Sequence, residues 1–175
     1  MCQNCESNKN SLQGKSLVFY EGIAQTIVTH FKYHKRFSLG ALIAHYMYKT
    51  IKHDTFDAIL PVPTSFRRLL QKGYHHTAII AQHLSKLTHK PLLTNCLKKH
   101  HTKRQVDCDQ KERLTNVKNS FYLNKQNKQH IKNKHILLID DVFTTGSTLY
   151  ECARILKKGG ARRVSFITFA RSRQR

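Results

Sequence analysis

The chain has 175 residues and a formal net charge of +21 at pH 7, because 31 Lys and Arg stand against 10 Asp and Glu. Its length fits one domain with a full hydrophobic core and at most a small appendage. The sequence shows no long apolar run and no secretory signal, so we expect a cytoplasmic protein without membrane insertion and without disulfides. The charge favours an anionic partner, either nucleic acid or a pyrophosphate-bearing substrate, although a general solubility charge would have the same sign.

Residues 1–16 are polar and lack periodicity, so they are expected to form a tail, with the folded domain at residues 17–175. Apolar residues at helical or strand spacing then predict a series of elements. In chain order these are helices at 23–31 and 38–52, a strand at 56–60, a helix around 78–84, short strands at 91–93 and 121–123, a buried strand at 136–139, a helix that starts at 147, and a strand at 164–169. Strands that alternate with helices predict an α/β fold, in which a mostly parallel, twisted sheet is flanked by helices.

Five cysteines occur, at positions 2, 5, 96, 108 and 152. Only Cys2 and Cys5 have the CxxC spacing of a zinc knuckle, and a closed structural zinc site needs four ligands. Two interpretations remain open: zinc is absent, or the pair is the remaining half of a zinc ribbon whose first knuckle lay upstream of Met1. Cys152 falls on the apolar stripe of the helix that starts at Ser147, and it is expected to be buried.

The segment from Ile136 to Thr148, ILLIDDVFTTGST, joins a buried strand to two carboxylates, a turn and the start of a helix. Free N–H groups and the positive dipole end favour a phosphate at a helix N-terminus, and the hydroxyls of the turn add donors. Asp140 and Asp141 would repel that phosphate, so we expect them to face ribose hydroxyls or a hydrated Mg²⁺. A phosphorylated ribose suits all of these groups. The alternative is a capped strand-to-helix turn with two solvated acids.

A second anion site is predicted where the strand at 56–60 ends, because ligands bind beyond the carboxyl ends of strands in open parallel sheets. The loop that follows contains Pro63, Thr64, Ser65, Arg67 and Arg68. Its prolines stiffen the backbone, and its hydroxyl and guanidinium groups suit an anion. A helix N-cap with surface arginines is the alternative. The adjacent His75 and His76 are not expected to bind a metal, since no third ligand is evident.

The segment ILLIDDVFTTGST closely resembles the phosphoribosyl pyrophosphate (PRPP) loop of the type I phosphoribosyltransferases. Over nearly its whole length the chain resembles the ComF family, which is associated with natural competence. The matching segments are HFKYHKR at 30–36, PVPTSFRRLLQKGYHHTAIIA at 61–81, TKRQVDCDQKERLTNVKNSF at 102–121 and HILLIDDVFTTGSTLYECARILKKGGARRV at 135–164. The chain departs from the family pattern at the zinc ribbon. It also departs at Lys72 and His75, where the family often has Arg and Asn.

This resemblance implies that the two aspartates approach the ribose and Mg²⁺, that the turn holds the 5′-phosphate, and that the loop after Pro63 holds pyrophosphate. The implied PRPP-binding residues are Pro63, Thr64, Ser65, Arg67, Arg68, Asp140, Asp141, Val142, Thr144, Thr145, Gly146, Ser147 and Thr148. For the transfer reaction the candidate catalytic residues are Asp140, Asp141, Arg67 and Arg104. Arg104 belongs to a closing basic loop that also contains Lys103 and Gln105. No base-binding hood can be identified.

Two functions follow as hypotheses. The first is PRPP binding linked to competence and DNA uptake, with DNA-uptake proteins as partners and with nonspecific binding of single-stranded DNA. The DNA-binding residues would be Lys98, Lys99, Lys103, Arg104, Arg171, Arg173 and Arg175, and the aromatic stacking platforms would be Tyr33, Phe37, Tyr74 and Phe121, unless these belong to the core. The alternative is a nucleobase-salvage phosphoribosyltransferase that releases pyrophosphate from PRPP.

Overall fold

A computed structural model of the protein describes residues 12–64, 69, 73–100 and 120–173. The strands are β1 (Gln13–Phe19), β2 (Ala58–Pro61), β3 (Leu97–Lys99), β4 (Phe121–Leu123), β5 (His135–Phe143) and β6 (Arg163–Arg171). The helices are α1 (Gly22–Tyr33), α2 (Ser38–Ile51), α3 (His76–Thr88) and α4 (Ser147–Lys158), with a 3-10 helix at Lys125–His130. Strands β1, β6, β5 and β2 form a parallel sheet in that order, and β3 pairs with β4 in an antiparallel hairpin. The predicted α/β fold with a parallel sheet and flanking helices is confirmed.

Both faces of the central strand β5 are covered, which explains the continuous apolar run in its sequence. Successive side chains of a strand point to opposite faces of the sheet. Ile136 and Leu138 join a core that includes residues of α4 and of the β3–β4 hairpin. Leu137 and Ile139 join a second core, which includes residues of α1, α2 and α3. The same alternation holds for the residues of β5 after Ile139, so residue 140 faces the side of the first core and residue 141 faces the side of the second core.

The carboxyl ends of β2, β5 and β6 lie at one edge of the sheet. Pro61, the last residue of β2, pairs with Ile139, and the Val62 N–H donates a hydrogen bond of 2.9 Å to the Ile139 carbonyl. Strand β5 continues past this point to Phe143, which pairs with Arg171 at the end of β6. The loop after β2 consequently lies beside the residues that follow Ile139.

The first strand begins earlier than the sequence predicts. β1 starts at Gln13, within the segment expected to be a polar tail, and it pairs with β6 from Gln13 to Phe19. Polar residues are tolerated there because β1 is an edge strand, and Ser16 Oγ shares a hydrogen bond of 2.7 Å with Thr168 Oγ1 of β6. The strand expected at 91–93 is reduced to a single bridge between Leu92 and Ile59. None of the helices in the described part of the chain is long and apolar enough to span a membrane.

Candidate ligand-binding site

The turn between β5 and α4 forms a small pocket at the carboxyl edge of the sheet. Gly146 is the N-cap residue of α4, with a φ of 74° and no side chain of its own to cap the helix. The Ser147 N–H donates a long hydrogen bond of 3.4 Å to Thr145 Oγ1, and amides of a first helical turn are well suited to bind an anion. A Cβ atom at Gly146 would lie 2.7 Å from the Phe143 ring, which explains the need for glycine. The pocket has a volume of about 30 Å³ and is lined by Asp140, Val142, Phe143, Thr144, Gly146, Ser147, Thr148 and Leu149. Thr145 Oγ1 hydrogen-bonds Ser147 Oγ at 2.8 Å.

The two aspartates point to opposite faces of the sheet, because both still belong to β5. Asp140 faces the turn and lines its pocket. Asp141 faces the other side and is buried, with 3% of its surface exposed. There its Oδ1 lies 2.7 Å from Lys32 Nζ of α1, and its Oδ2 lies 2.9 Å from His76 Nε2 of α3.

This geometry corrects the expectation that both carboxylates face the ligand. Asp140 is placed to meet a ligand in the turn, whereas Asp141 ties β5 to α1 and α3. The sequence contains a signal for this difference, since adjacent residues of one strand cannot share a face. Lys32 and His76 lie in the family-like segments HFKYHKR and GYHH, but no sequence pattern pairs them with Asp141.

The environments drive the pKa values of the two carboxyls apart. Burial, and then the neighbouring charge of Asp141, raise the pKa of Asp140 to about 8, while Lys32 and Lys99 act in the opposite direction. Burial alone would raise the pKa of Asp141, but the close approach of His76 at 2.9 Å and the charge of Lys32 outweigh this effect, so the pKa of Asp141 is lowered overall. Within the described residues, Asp140 has no cationic side chain in an ion pair with it of the kind that Lys32 forms with Asp141.

The first residues of the loop after β2, residues 62–64, are hydrogen-bonded to the start of α3. The Thr64 N–H donates a hydrogen bond of 2.8 Å to His75 Nε2, and Thr77 Oγ1 donates one of 2.9 Å to the Val62 carbonyl. Burial, and then the charge of His76, lower the pKa of His75 to about 4, so its ring is neutral at pH 7 and can accept from Thr64. Pro63 and Thr64 are half-buried in this loop. Ser65, Arg67 and Arg68 lie outside the described residues, so their predicted roles stay predictions.

The basic residues predicted to bind DNA differ in their solvent exposure and in their contacts. Lys98 is exposed, whereas Lys99, its neighbour on β3, is half-buried and acts electrostatically on Asp140. Arg171 and Arg173 are exposed near the end of β6, with their guanidinium groups 5.9 and 5.1 Å from the ring centre of Phe19. Lys103, Arg104 and Arg175 lie outside the described part of the chain.

The aromatic residues proposed as stacking platforms also differ in how much of their surface is exposed. Tyr33 and Phe37 are 66% and 44% exposed, and they remain candidates. Phe121 belongs to the core with 4% exposure, which corrects its assignment as a platform. The Tyr74 hydroxyl is engaged by the carbonyls of Phe31 and Lys32, at 3.0 and 2.8 Å. Phe19, which the sequence did not single out, is 46% exposed beside the two arginines.

The residues considered as metal ligands lie in different parts of the chain. Within the described residues no group of three or more His, Cys, Asp or Glu side chains could hold a metal ion. Cys2 and Cys5 lie outside these residues, so zinc binding there stays a prediction. Cys152 is buried as expected, and Cys96 is buried as well. For Mg²⁺, the carboxyl of Asp140 fits, because this ion is commonly held by one or two carboxylates together with substrate phosphates.

The family model for the phosphoribosyl transferase domain matches residues 32–175, so the chain belongs to this family. It is 29% identical to competence protein F of Haemophilus influenzae, over 98% of this chain and 78% of that protein. It is 25% identical to competence protein ComFC of Bacillus subtilis, over 98% of this chain and 72% of that protein. The resemblance to the ComF family is thereby confirmed.

A solved structure of the allosteric regulatory enzyme of purine biosynthesis is similar to this chain, with 15% identity and a TM-score of 0.51. The similarity covers 80% of this chain and 29% of that one. At this identity the likeness shows the fold alone.

Proposed function

We propose that this protein binds PRPP with Mg²⁺ at the carboxyl edge of its sheet, and that it does so as a phosphoribosyltransferase-like protein linked to natural competence. The observation that carries the proposal is the position of Asp140 in the pocket of a helix-terminal turn whose N-cap residue is Gly146. The amides and hydroxyls of the turn suit the 5′-phosphate, and the carboxyl beside them suits ribose hydroxyls and the cation. The competence proteins of Haemophilus influenzae and Bacillus subtilis support the biological link.

The loop after β2 supplies a second anchoring point for the same ligand. It leaves the sheet beside β5, since the Val62 N–H is bonded to the Ile139 carbonyl immediately before Asp140. A pyrophosphate group attached to the ribose would therefore meet this loop while the 5′-phosphate occupies the turn. Lys99 adds a positive charge near Asp140 from the β3–β4 hairpin.

In a transfer reaction, the acceptor would displace pyrophosphate from the ribose through an oxocarbenium-like state. Mg²⁺, when bound with PRPP, would neutralise charge on the departing pyrophosphate. The part of this chain would be to hold the two phosphate ends of PRPP and to orient the ribose through Asp140. Arg67 and Arg104 remain the proposed contacts to the leaving group. A pyrophosphate-release assay with and without nucleobases tests the alternative function, because a salvage enzyme would release pyrophosphate only with its acceptor.

Isothermal titration calorimetry with Mg·PRPP tests the binding proposal. Wild type should bind, and Asp140→Asn should bind at least about tenfold more weakly, because an amide cannot release a proton to become the carboxylate that Mg²⁺ and the ribose hydroxyls favour. Asp54→Asn is the matched control, since Asp54 is a carboxylate paired with Lys15 beside a cavity at the amino ends of the strands. No binding by wild type, or equal binding by Asp140→Asn, would overturn the assignment.

We also propose nonspecific binding of single-stranded DNA, supported by the net charge of +21 and by the exposed Lys98, Arg171 and Arg173. Each phosphate contact to a single strand contributes about −0.7 to the slope of log K against log salt concentration. Replacing Lys98, Lys99, Lys103 and Arg104 with Ala should therefore reduce the slope by roughly two or more units. The control replaces four exposed lysines elsewhere, namely Lys52, Lys86, Lys90 and Lys128. Equal losses in both variants would leave only general electrostatic attraction and would refute a localised site.

A further inference from the structure

Four consecutive residues at the start of α3 contact three separate parts of the candidate site. We call them the α3 clamp: Tyr74, His75, His76 and Thr77. Tyr74 donates its hydroxyl to carbonyls at the end of α1, and His76 contacts Asp141 of β5. His75 and Thr77 both bond the backbone of the loop after β2.

The contacts of the α3 clamp with the loop are directional polar contacts. His75 accepts from the Thr64 N–H at 2.8 Å, and Thr77, which is 2% exposed, donates to the Val62 carbonyl at 2.9 Å. These two bonds are made to the residues immediately before and after Pro63 in the chain. Because a buried hydrogen bond has strict requirements for distance and angle, residues 62–64 at the start of the loop are held in one position relative to α3.

The same helix start contacts β5, which leads into the turn at residues 144–146 before α4, called the phosphate turn from here on. His76 Nε2 lies 2.9 Å from Asp141 Oδ2, and the other oxygen of Asp141 is 2.7 Å from Lys32. Asp141 immediately follows Asp140, which lines the pocket of the turn. The α3 clamp thus connects the two regions that would hold opposite ends of PRPP.

We propose that the α3 clamp sets the separation between the loop after β2 and the phosphate turn, and that His75 and Thr77 are its positioning residues for the intact ligand. This inference rests on the proposed function. A ligand with two anchoring groups binds tightly only when both of its sites are at the matching distance, because the second contact is then made at a high effective concentration. Each half of the ligand alone has no such requirement.

The test compares three ligands on the full chain: Mg·PRPP, pyrophosphate and ribose 5-phosphate, each titrated by calorimetry. His75→Ala should weaken PRPP binding by about tenfold, while the affinities for pyrophosphate and ribose 5-phosphate change by less than about threefold. His75→Asn should restore most of the PRPP affinity, because its side-chain oxygen can accept from Thr64. Gln82→Ala, an exposed change on the same helix, is the control and should leave all three affinities unchanged.

Thr77→Val provides an independent variant that keeps the shape of the side chain and removes only the donor to Val62. It should show the same selective loss for PRPP, and it can be assayed if His75→Ala does not fold. Equal PRPP affinity in wild type and both variants would overturn the inference while leaving the proposed function intact. An equal loss for all three ligands would also overturn it, because general damage to the fold would explain that result. If wild type itself binds no PRPP, the proposed function fails and this inference fails with it.

Discussion

Replacing Asp141 with Asn is expected to destabilise the protein by about 3 kcal/mol, because it leaves Lys32 without its buried counter-charge and His76 without its carboxylate partner. Removing one partner of a buried ion pair typically costs about 3–5 kcal/mol. The lower end applies here, since the Lys32 side chain keeps 22% of its surface exposed and the amide oxygen of Asn can still accept one hydrogen bond. The same change at the neighbouring Asp140 should have the opposite effect.

At Asp140 the pKa is raised from 3.8 to about 8, so at pH 7 the folded protein retains a proton that the unfolded chain has released. A raised acid pKa lowers stability as the pH rises from 3.8 towards 8, and Asn removes this cost. Because the Asp140 side chain is partly exposed, we expect Asp140→Asn to change stability by between about 0 and 2 kcal/mol in the stabilising direction.

Urea unfolding at pH 7 measures both free energies, with the m-value as a check that the unfolded state is unchanged. The variant Lys32→Met combined with Asp141→Asn should be less destabilised than the sum of the single changes, since the two groups are in direct contact. Equal destabilisation by Asp140→Asn and Asp141→Asn would refute the assignment of the two carboxyls to opposite faces of the sheet. So would full stability of Asp141→Asn.

Three further outcomes are expected. The pKa of His75 is lowered from 6.5 to about 4 in the folded protein, so the free energy of unfolding should fall as the pH drops from 6.5 towards 4. Between pH 7 and about pH 4.5, His75→Asn should therefore lose roughly 2–3 kcal/mol less stability than wild type. Parallel stability profiles for the two proteins over this pH range would contradict the prediction. Lys99→Ala should weaken PRPP binding by roughly fivefold, whereas the adjacent exposed Lys98→Ala should not, as judged by calorimetry. Elemental analysis should find zinc absent or well below one ion per chain, because Cys2 and Cys5 provide two ligands of the four that a structural site needs; one tightly held zinc per chain would show that ligands were missed.

The sequence predicted the elements whose signals are local. The apolar run at 136–139, the turn that follows and the amphipathic helix each have a pattern within a few residues, and together they predicted a strand, a phosphate turn and α4 in register. The parallel sheet followed from the alternation of strands and helices. The sequence failed at Gln13 to Ser16, because a polar edge strand has no distinctive pattern of its own and is specified by its pairing with β6.

The sequence by itself thus determined the fold class and the chemistry available at the carboxyl edge, since strand periodicity and a helix start act over short distances along the chain. Only the tertiary structure decided which aspartate lines the pocket of the turn and which is buried on the other face of the sheet. The partners of Asp141 come from α1 and α3, far from it in sequence, and the contact of His75 with Thr64 depends on how α3 packs against β2. Such contacts depend on the relative positions of whole elements, which no local pattern of residues contains.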